Sequence, residues 1–174
     1  MSKLKKIMRN IPDLIQELIP PNNYQSRNGF SNEHIVLSLS EKEKVEVERR
    51  LIEMLDETDD DLIGETLAIM NSTDSLPIMR KRLESAKNPS QKIIWANYIN
   101  EIKGGDQEMK DIALQEMDRV TEKYSLTSIF YYLSRFMDSR INEKIRSFTN
   151  DKDYLIAYNA RTSLGIDTAD LIKR

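Results

Sequence analysis

Asp151-Lys152-Asp153-Tyr154-Leu155-Ile156-Ala157-Tyr158-Asn159-Ala160-Arg161-Thr162-Ser163-Leu164-Gly165 is the stretch on which the fold turns. Acidic residues open it, where negative charge meets the positive end of a helix, and a glycine closes it, where a left-handed residue ends one. At about 100° per residue, Ile156, Ala160, Ser163 and Leu164 share one face, which places Tyr154, Tyr158 and Arg161 on the opposite side. Similar helices begin near Leu62, Ile93 and Leu126, each preceded by a second helix-like stretch. The unit therefore returns roughly every 31 residues, the period of a helical-hairpin array whose core lies between neighbouring units.

Working outward, the spacing predicts a first helix from Lys3 to Leu18, with Leu4, Ile7, Met8, Ile11, Leu14, Ile15 and Leu18 on one face. Pro20 and Pro21 stop it, and the polar stretch Asn22 to Asn32 reads as a long loop. Ser40 and Glu43 are spaced as a capping box opening a long helix whose apolar residues include Val45, Leu51, Ile52 and Leu55. Asp59, Asp60 and Asp61 open its partner. Asp74 or Ser75 caps a helix with Pro77 in the first turn, and Asn88-Pro89 marks the next start. Gly104-Gly105-Asp106 ends one helix and begins another; Ser125, Asp138 and Asp151 are later starts, and Gly165 is the last stop. Hairpins follow at about 41–71, 75–103, 106–137 and 139–164. The expected organisation is a single domain over 1–174, with 1–39 as an N-terminal cap helix and loop, 40–165 as repeats, and 166–174 as a C-terminal cap.

The pattern of 151–165 resembles the second helix of a HEAT repeat: paired acids at the start, an aliphatic at Ile156, small residues at Ala160 and Ser163, and a closing Leu-Gly. Leu76-Pro77-Ile78-Met79 to Leu83, then Asn88-Pro89 and Ile94, looks like a first helix feeding a second. The resemblance covers roughly Ser40 to Gly165 and departs from the family at Ala157, where an arginine is usual. It implies an all-α class: an α-α superhelix of about four HEAT-like (armadillo-type) hairpins behind a capping helix. It also implies a scaffold that grips another protein along a concave surface. Small bacterial chains of this kind look similar to toxin-neutralising immunity proteins, and the Lys/Ile/Asn-rich usage suits a bacterium with an AT-rich genome.

Composition narrows the chemistry. Five glycines and five prolines in 174 residues suit helices better than hairpin-rich sheets. Without cysteine, disulfides, thiolate catalysis and cysteine-bound zinc are excluded, and His34 is the single histidine. The 26 basic and 29 acidic residues are mixed along the chain, unlike the basic stripe of a duplex binder. No apolar run reaches the ~18 residues of a membrane span. Lys3, Lys5, Lys6 and Arg9 precede a segment that Pro12, Asp13 and Glu17 break up, unlike a signal peptide. A cytoplasmic protein is the expectation. Asp61-Leu62-Ile63-Gly64-Glu65 lacks the alternating oxygens of a calcium loop, so capping explains the acidic run. No metal, cofactor or catalytic residue is expected.

The expected binding residues are tyrosines and arginines. Leu126, Ile129, Phe130, Leu133 and Phe136 form the apolar face of one helix, which turns Tyr131 and Arg135 away, with Tyr124 nearby. Tyr154, Tyr158 and Arg161 do the same on the next equivalent helix. These residue types dominate interface hot spots, because each buries a large area and keeps a polar end. The same tyrosines could instead pack between helices with their hydroxyls in water. Trp95, with Ile94, Tyr98, Ile99 and Ile102, reads as core, and Met8, Met54, Met70, Met79, Met109 and Met117 as core gap-fillers.

The expected function is therefore a non-catalytic protein-protein interaction module, an immunity or adaptor protein, acting by steric occlusion or tethering. The alternative is a nucleic-acid-binding enzyme, since some HEAT-like proteins resemble DNA glycosylases. A third reading is oligomerisation through the repeat ends, where Ala169, Leu171 and Ile172 are apolar.

Overall fold

The computed structural model describes residues 9–171, and over them the chain forms eleven α-helices and one 3₁₀ turn, with no strand. Leu4, Ile7, Met8 and Ile172 lie outside the described residues. The chain falls into two compact units, 1–78 and 79–174, with the boundary inside one helix.

The first unit holds α1 (Ile11–Leu18), α2 (Tyr24–Arg27), α3 (Glu33–Ser38), α4 (Glu41–Glu57) and α5 (Asp61–Ile69). Of the helix expected from Lys3 to Leu18, the described part is α1, which starts at Ile11 after extended Asn10, with Pro12 in its first turn. Proline fits there because that N–H has no helical partner, whereas mid-helix it would break the ladder. Ser40 and Glu43 do form the capping box. Glu43 also accepts the Arg9 backbone N–H at 3.0 Å and Arg9 Nε at 3.2 Å. These bonds, Arg9's first and then Ser40's, hold the Glu43 carboxyl far below the usual carboxylate range.

The stretch read as a loop, Asn22 to Asn32, is structured. Arg27 on α2 donates to both carboxylate oxygens of Asp60, at 2.7 and 2.6 Å, and to the Pro20 carbonyl. Asp60 in turn caps α5, accepting the Leu62 N–H at 3.1 Å. Buried Asn32 donates to the Leu18 carbonyl at 3.0 Å and to Thr66 Oγ1 at 2.6 Å. In this unit α1 packs on α4 and α3 on α5. The Arg9–Glu43 and Asn32–Thr66 bonds both span 34 residues. Val47, Leu51 and Leu55 are the buried stripe of α4, while Val45 lies off it, 66% exposed.

The second unit takes the end of α6 (Leu76–Ser85), then α7 (Pro89–Ile102), α8 (Gln107–Met117), α9 (Lys123–Ser134), α10 (Ser139–Arg146) and α11 (Tyr154–Ser163). Caps sit where short polar side chains fall: Asn88, Asp106, Asp138 and Asp153 each accept a backbone N–H in the first turn of the helix that follows. Two starts differ from expectation. The helix expected at Ser125 begins at Lys123, and the cap of α11 is Asp153, whose own N–H Asp151 accepts at 2.8 Å. Gly165 closes α11 with φ +67°, a conformation that needs no Cβ.

In this unit α7 packs on α8 and α9, α9 on α10 and α11, and α8 on α10. Ion pairs run between helices two apart in sequence: Arg80 to Glu108, Asp111 to Arg140, Asp118 to Lys144, Glu101 to Arg135 and Lys123 to Asp153. Lys123–Asp153 joins helix starts, and Glu101–Arg135 and Asp118–Lys144 join helix ends, so α8 runs parallel to α10, and α9 to both α7 and α11. Trp95, Tyr98, Phe130 and Phe136 fill the core, where a large apolar side chain contributes ~2–3 kcal/mol. Among the described residues, no helix is long and apolar enough to cross a membrane.

Candidate partner-binding surface

Two rows of exposed tyrosines lie on the adjacent helices α9 and α11. Burying Leu126, Ile129, Phe130 and Leu133 forces Tyr124, Ser128 and Tyr131 to the surface of α9, with Arg135 beside them. Tyr124 is 74% and Tyr131 55% exposed. On α11 the buried set is Ala157, Ala160 and Arg161, which leaves Tyr154, Leu155 and Tyr158 outside, with Tyr154 at 47% and Tyr158 at 36%.

Lys123 and Asp153 tie the starts of the two helices together. Their 2.6 Å ion pair joins the first residue of α9 to the cap of α11. The hydrogen bond to Asp153 raises the Lys123 ammonium above its ordinary value and holds the Asp153 carboxyl below its own.

Each row is held stiff from within. Tyr154 and Tyr158, one turn apart, stack with ring centroids 5.7 Å apart and planes 29° from parallel. Tyr131 carries the Arg135 guanidinium 5.0 Å from its ring centroid, and its hydroxyl accepts from Arg135 Nη1 at 2.8 Å. Behind Tyr131 an edge-to-face series runs inward through Tyr132 and Tyr98 to buried Trp95, with centroid spacings of 5.2, 6.1 and 5.8 Å.

Arg135 is itself anchored by Glu101 of α7, with Nε to Oε1 at 2.6 Å and Nη2 to Oε2 at 3.0 Å. Burial pushes the Glu101 carboxyl above its ordinary range, and Arg135 only partly offsets that. Fully buried Asn97, one turn earlier, lies close enough to ease the charge but forms no well-aligned hydrogen bond. Arg135 therefore positions Tyr131 rather than offering an open fork to a partner. The sequence alone marks neither Glu101 nor Asn97; an acid in the penultimate position of an apolar helix carries no signal until α9 is seen beside it.

Arg161 is not part of the exposed rows. It is 8% exposed and turned inward, donating to the Thr149 carbonyl at 2.8 Å, the Asn150 side chain at 3.0 Å, the Asp167 carbonyl at 3.1 Å and the Asp170 carboxylate at 2.5 Å. It ties the segment after α11 back onto the turn before it, and Leu171 is buried at the end of that segment. The helical wheel set Arg161 opposite Ala160, but α11 buries 157, 160 and 161 together. A charged group reaches that side because backbone carbonyls there need donors. Trp95, Met79, Met109 and Met117 are buried, whereas Met54 and Met70 are partly exposed. His34 is exposed on α3. Comparison with protein-family models, with curated proteins and with solved structures returned no match.

Proposed function

We propose that this chain is a non-catalytic protein-binding module whose second unit is a HEAT-like array, with α7, α9 and α11 as its partner-facing layer. One observation carries the reading: two neighbouring helices, tied at their starts by Lys123 and Asp153, each keep exposed tyrosines, one pair stacked and Tyr131 held by Arg135. Rings already ordered lose little rotamer freedom on docking, and exposed tyrosines backed by a packed layer are the raw material of a hot spot. Tyr124, Tyr131, Tyr154 and Tyr158 are the contact residues, Arg135 a positioning residue, and Arg161 a structural one. An adaptor or immunity protein of a bacterial cytoplasm, acting by occlusion or tethering, fits such a surface.

Lys123 and Arg135, beside Tyr124 and Tyr131, are paired with Asp153 and Glu101, and the mixed charge of the chain offers no basic stripe for phosphates, so the protein-partner reading is the better supported. The test is capture from lysate of the source organism with the tagged full chain, against a Tyr154→Ala/Tyr158→Ala control of equal helix content. A stoichiometric protein held by the native chain and lost in the control supports the proposal and names the partner. Capture of nothing, or of further copies of the chain alone, overturns it.

A further inference from the structure

We propose that Asn28–Gly29 is a self-modifying site, at which the Asn28 amide is lost spontaneously to give aspartate and isoaspartate. Arg27 to Phe30 form a turn closed by the Phe30 N–H on the Arg27 carbonyl at 3.1 Å. Asn28 has φ −66° and ψ 114°, and Gly29 has φ +71°, the values of a type II turn with glycine at its third residue. Both residues are exposed, and the space where a Gly29 side chain would stand is empty. The Gly29 N–H makes no hydrogen bond among the described residues, and neither does the Asn28 side chain. The central peptide plane can thus swing toward the Asn28 amide while the Phe30–Arg27 bond stays closed.

The chemistry needs only water. The Gly29 nitrogen, losing its proton, attacks the Asn28 side-chain carbonyl carbon; the new C–N bond closes a five-membered imide, and the side-chain nitrogen leaves as ammonia. Water then opens the ring. Attack at the side-chain carbonyl gives aspartate, and attack at the main-chain carbonyl gives isoaspartate, with one more methylene in the backbone. Glycine favours the step because no Cβ shields its nitrogen.

Three other asparagines in loops lack this freedom. The N–H after Asn22 is held by the Pro21 carbonyl at 2.8 Å, that after Asn71 by Leu67 at 3.0 Å, and that after Asn150 by Phe148 at 3.1 Å. The position also has a structural consequence. The new carboxylate arises beside Arg27, whose guanidinium holds Asp60 and the Pro20 carbonyl, and so competes with the contact that pins α2 to the cap of α5.

The test is incubation of the full chain at mildly alkaline pH, followed by peptide mapping for the mass gain of amide-to-acid conversion and for the isoaspartate isomer. Parallel samples are kept mildly acid, held in denaturant, or carry Asn28→Gln, whose longer side chain closes a six-membered ring slowly. The expected result is conversion at Asn28 ahead of every other asparagine. It should be faster in alkali than in acid, within several-fold of the rate in denaturant, and absent from the Asn28→Gln chain over the same time. Persistence of the Asn28 amide in the folded chain while it converts in denaturant would overturn the proposal. Earlier conversion at another asparagine would do so as well.

Discussion

Lys123 and Asp153 meet at 2.6 Å across the first turns of α9 and α11. The pair joins one helix's first residue to another's cap, 30 positions on, and so ties together the starts of the two helices that carry the exposed tyrosines. Because both side chains are solvent-accessible, the pair acts on alignment more than on stability.

Its pH behaviour has a defined sign. Asp153 is depressed in the folded state, so its contribution is present above the unfolded carboxylate range and disappears as pH falls through the lower folded value. Stability of the native chain, followed by denaturant midpoint, should therefore fall more steeply below about pH 4 than that of Lys123→Met. Added salt should narrow the gap. Equal acid slopes would show that the pair does not form in solution.

Glu101 and Arg135 should respond unequally to removal. Arg135→Ala leaves a half-buried carboxylate without its partner and should destabilise by about 1–3 kcal/mol at neutral pH. Without Arg135 the Glu101 carboxyl rises further, so that loss should shrink as pH falls and the group takes up a proton. Glu101→Gln removes a charge that burial already disfavours and should cost less, within about 1 kcal/mol. Urea unfolding of both variants at two pH values checks the order, and a larger loss in Glu101→Gln would contradict it.

Arg161 and the paired tyrosines make a second contrast. Arg161→Ala strips donors from two backbone carbonyls and two side chains, and should cost about 2–4 kcal/mol. It should also expose the segment after Gly165 to proteolysis. Tyr154→Ala/Tyr158→Ala removes two half-exposed rings and one stacking contact, a loss of no more than about 1–2 kcal/mol. Thermal melts of the two variants settle it: a larger fall for the tyrosine pair would mean those rings belong to the core.

Arg27→Ala should loosen the first unit without unfolding it. The bidentate contact to Asp60 and the bonds to the Pro20 carbonyl are what hold residues 20–30 in place. Hydrogen exchange should rise over those residues and at the first turn of α5, with α4 unchanged. Uniform exchange across the unit would show that the tie is incidental.

By itself the sequence determined the all-helical class, most helix starts from residue 40 onward and the caps at Ser40, Asn88, Asp106 and Asp138, because these rest on local chemistry. Periodicity, short polar side chains and left-handed glycines act within a few residues of themselves. The rows Tyr124/Tyr131 and Tyr154/Tyr158 were legible for the same reason, as the positions left over once the apolar stripes are assigned. What only the tertiary structure decided depends on groups about 30 residues apart. The short helices α2 and α3 have too few apolar residues to announce themselves, and the segment around them is held by Arg9–Glu43, Arg27–Asp60 and Asn32–Thr66. Arg161 turned inward because unpaired carbonyls at Thr149 and Asp167 waited there, and Arg135 gained its positioning role from Glu101 on a different helix. A helical wheel knows a residue's angle, but not whether donors, acceptors or solvent lie in that direction.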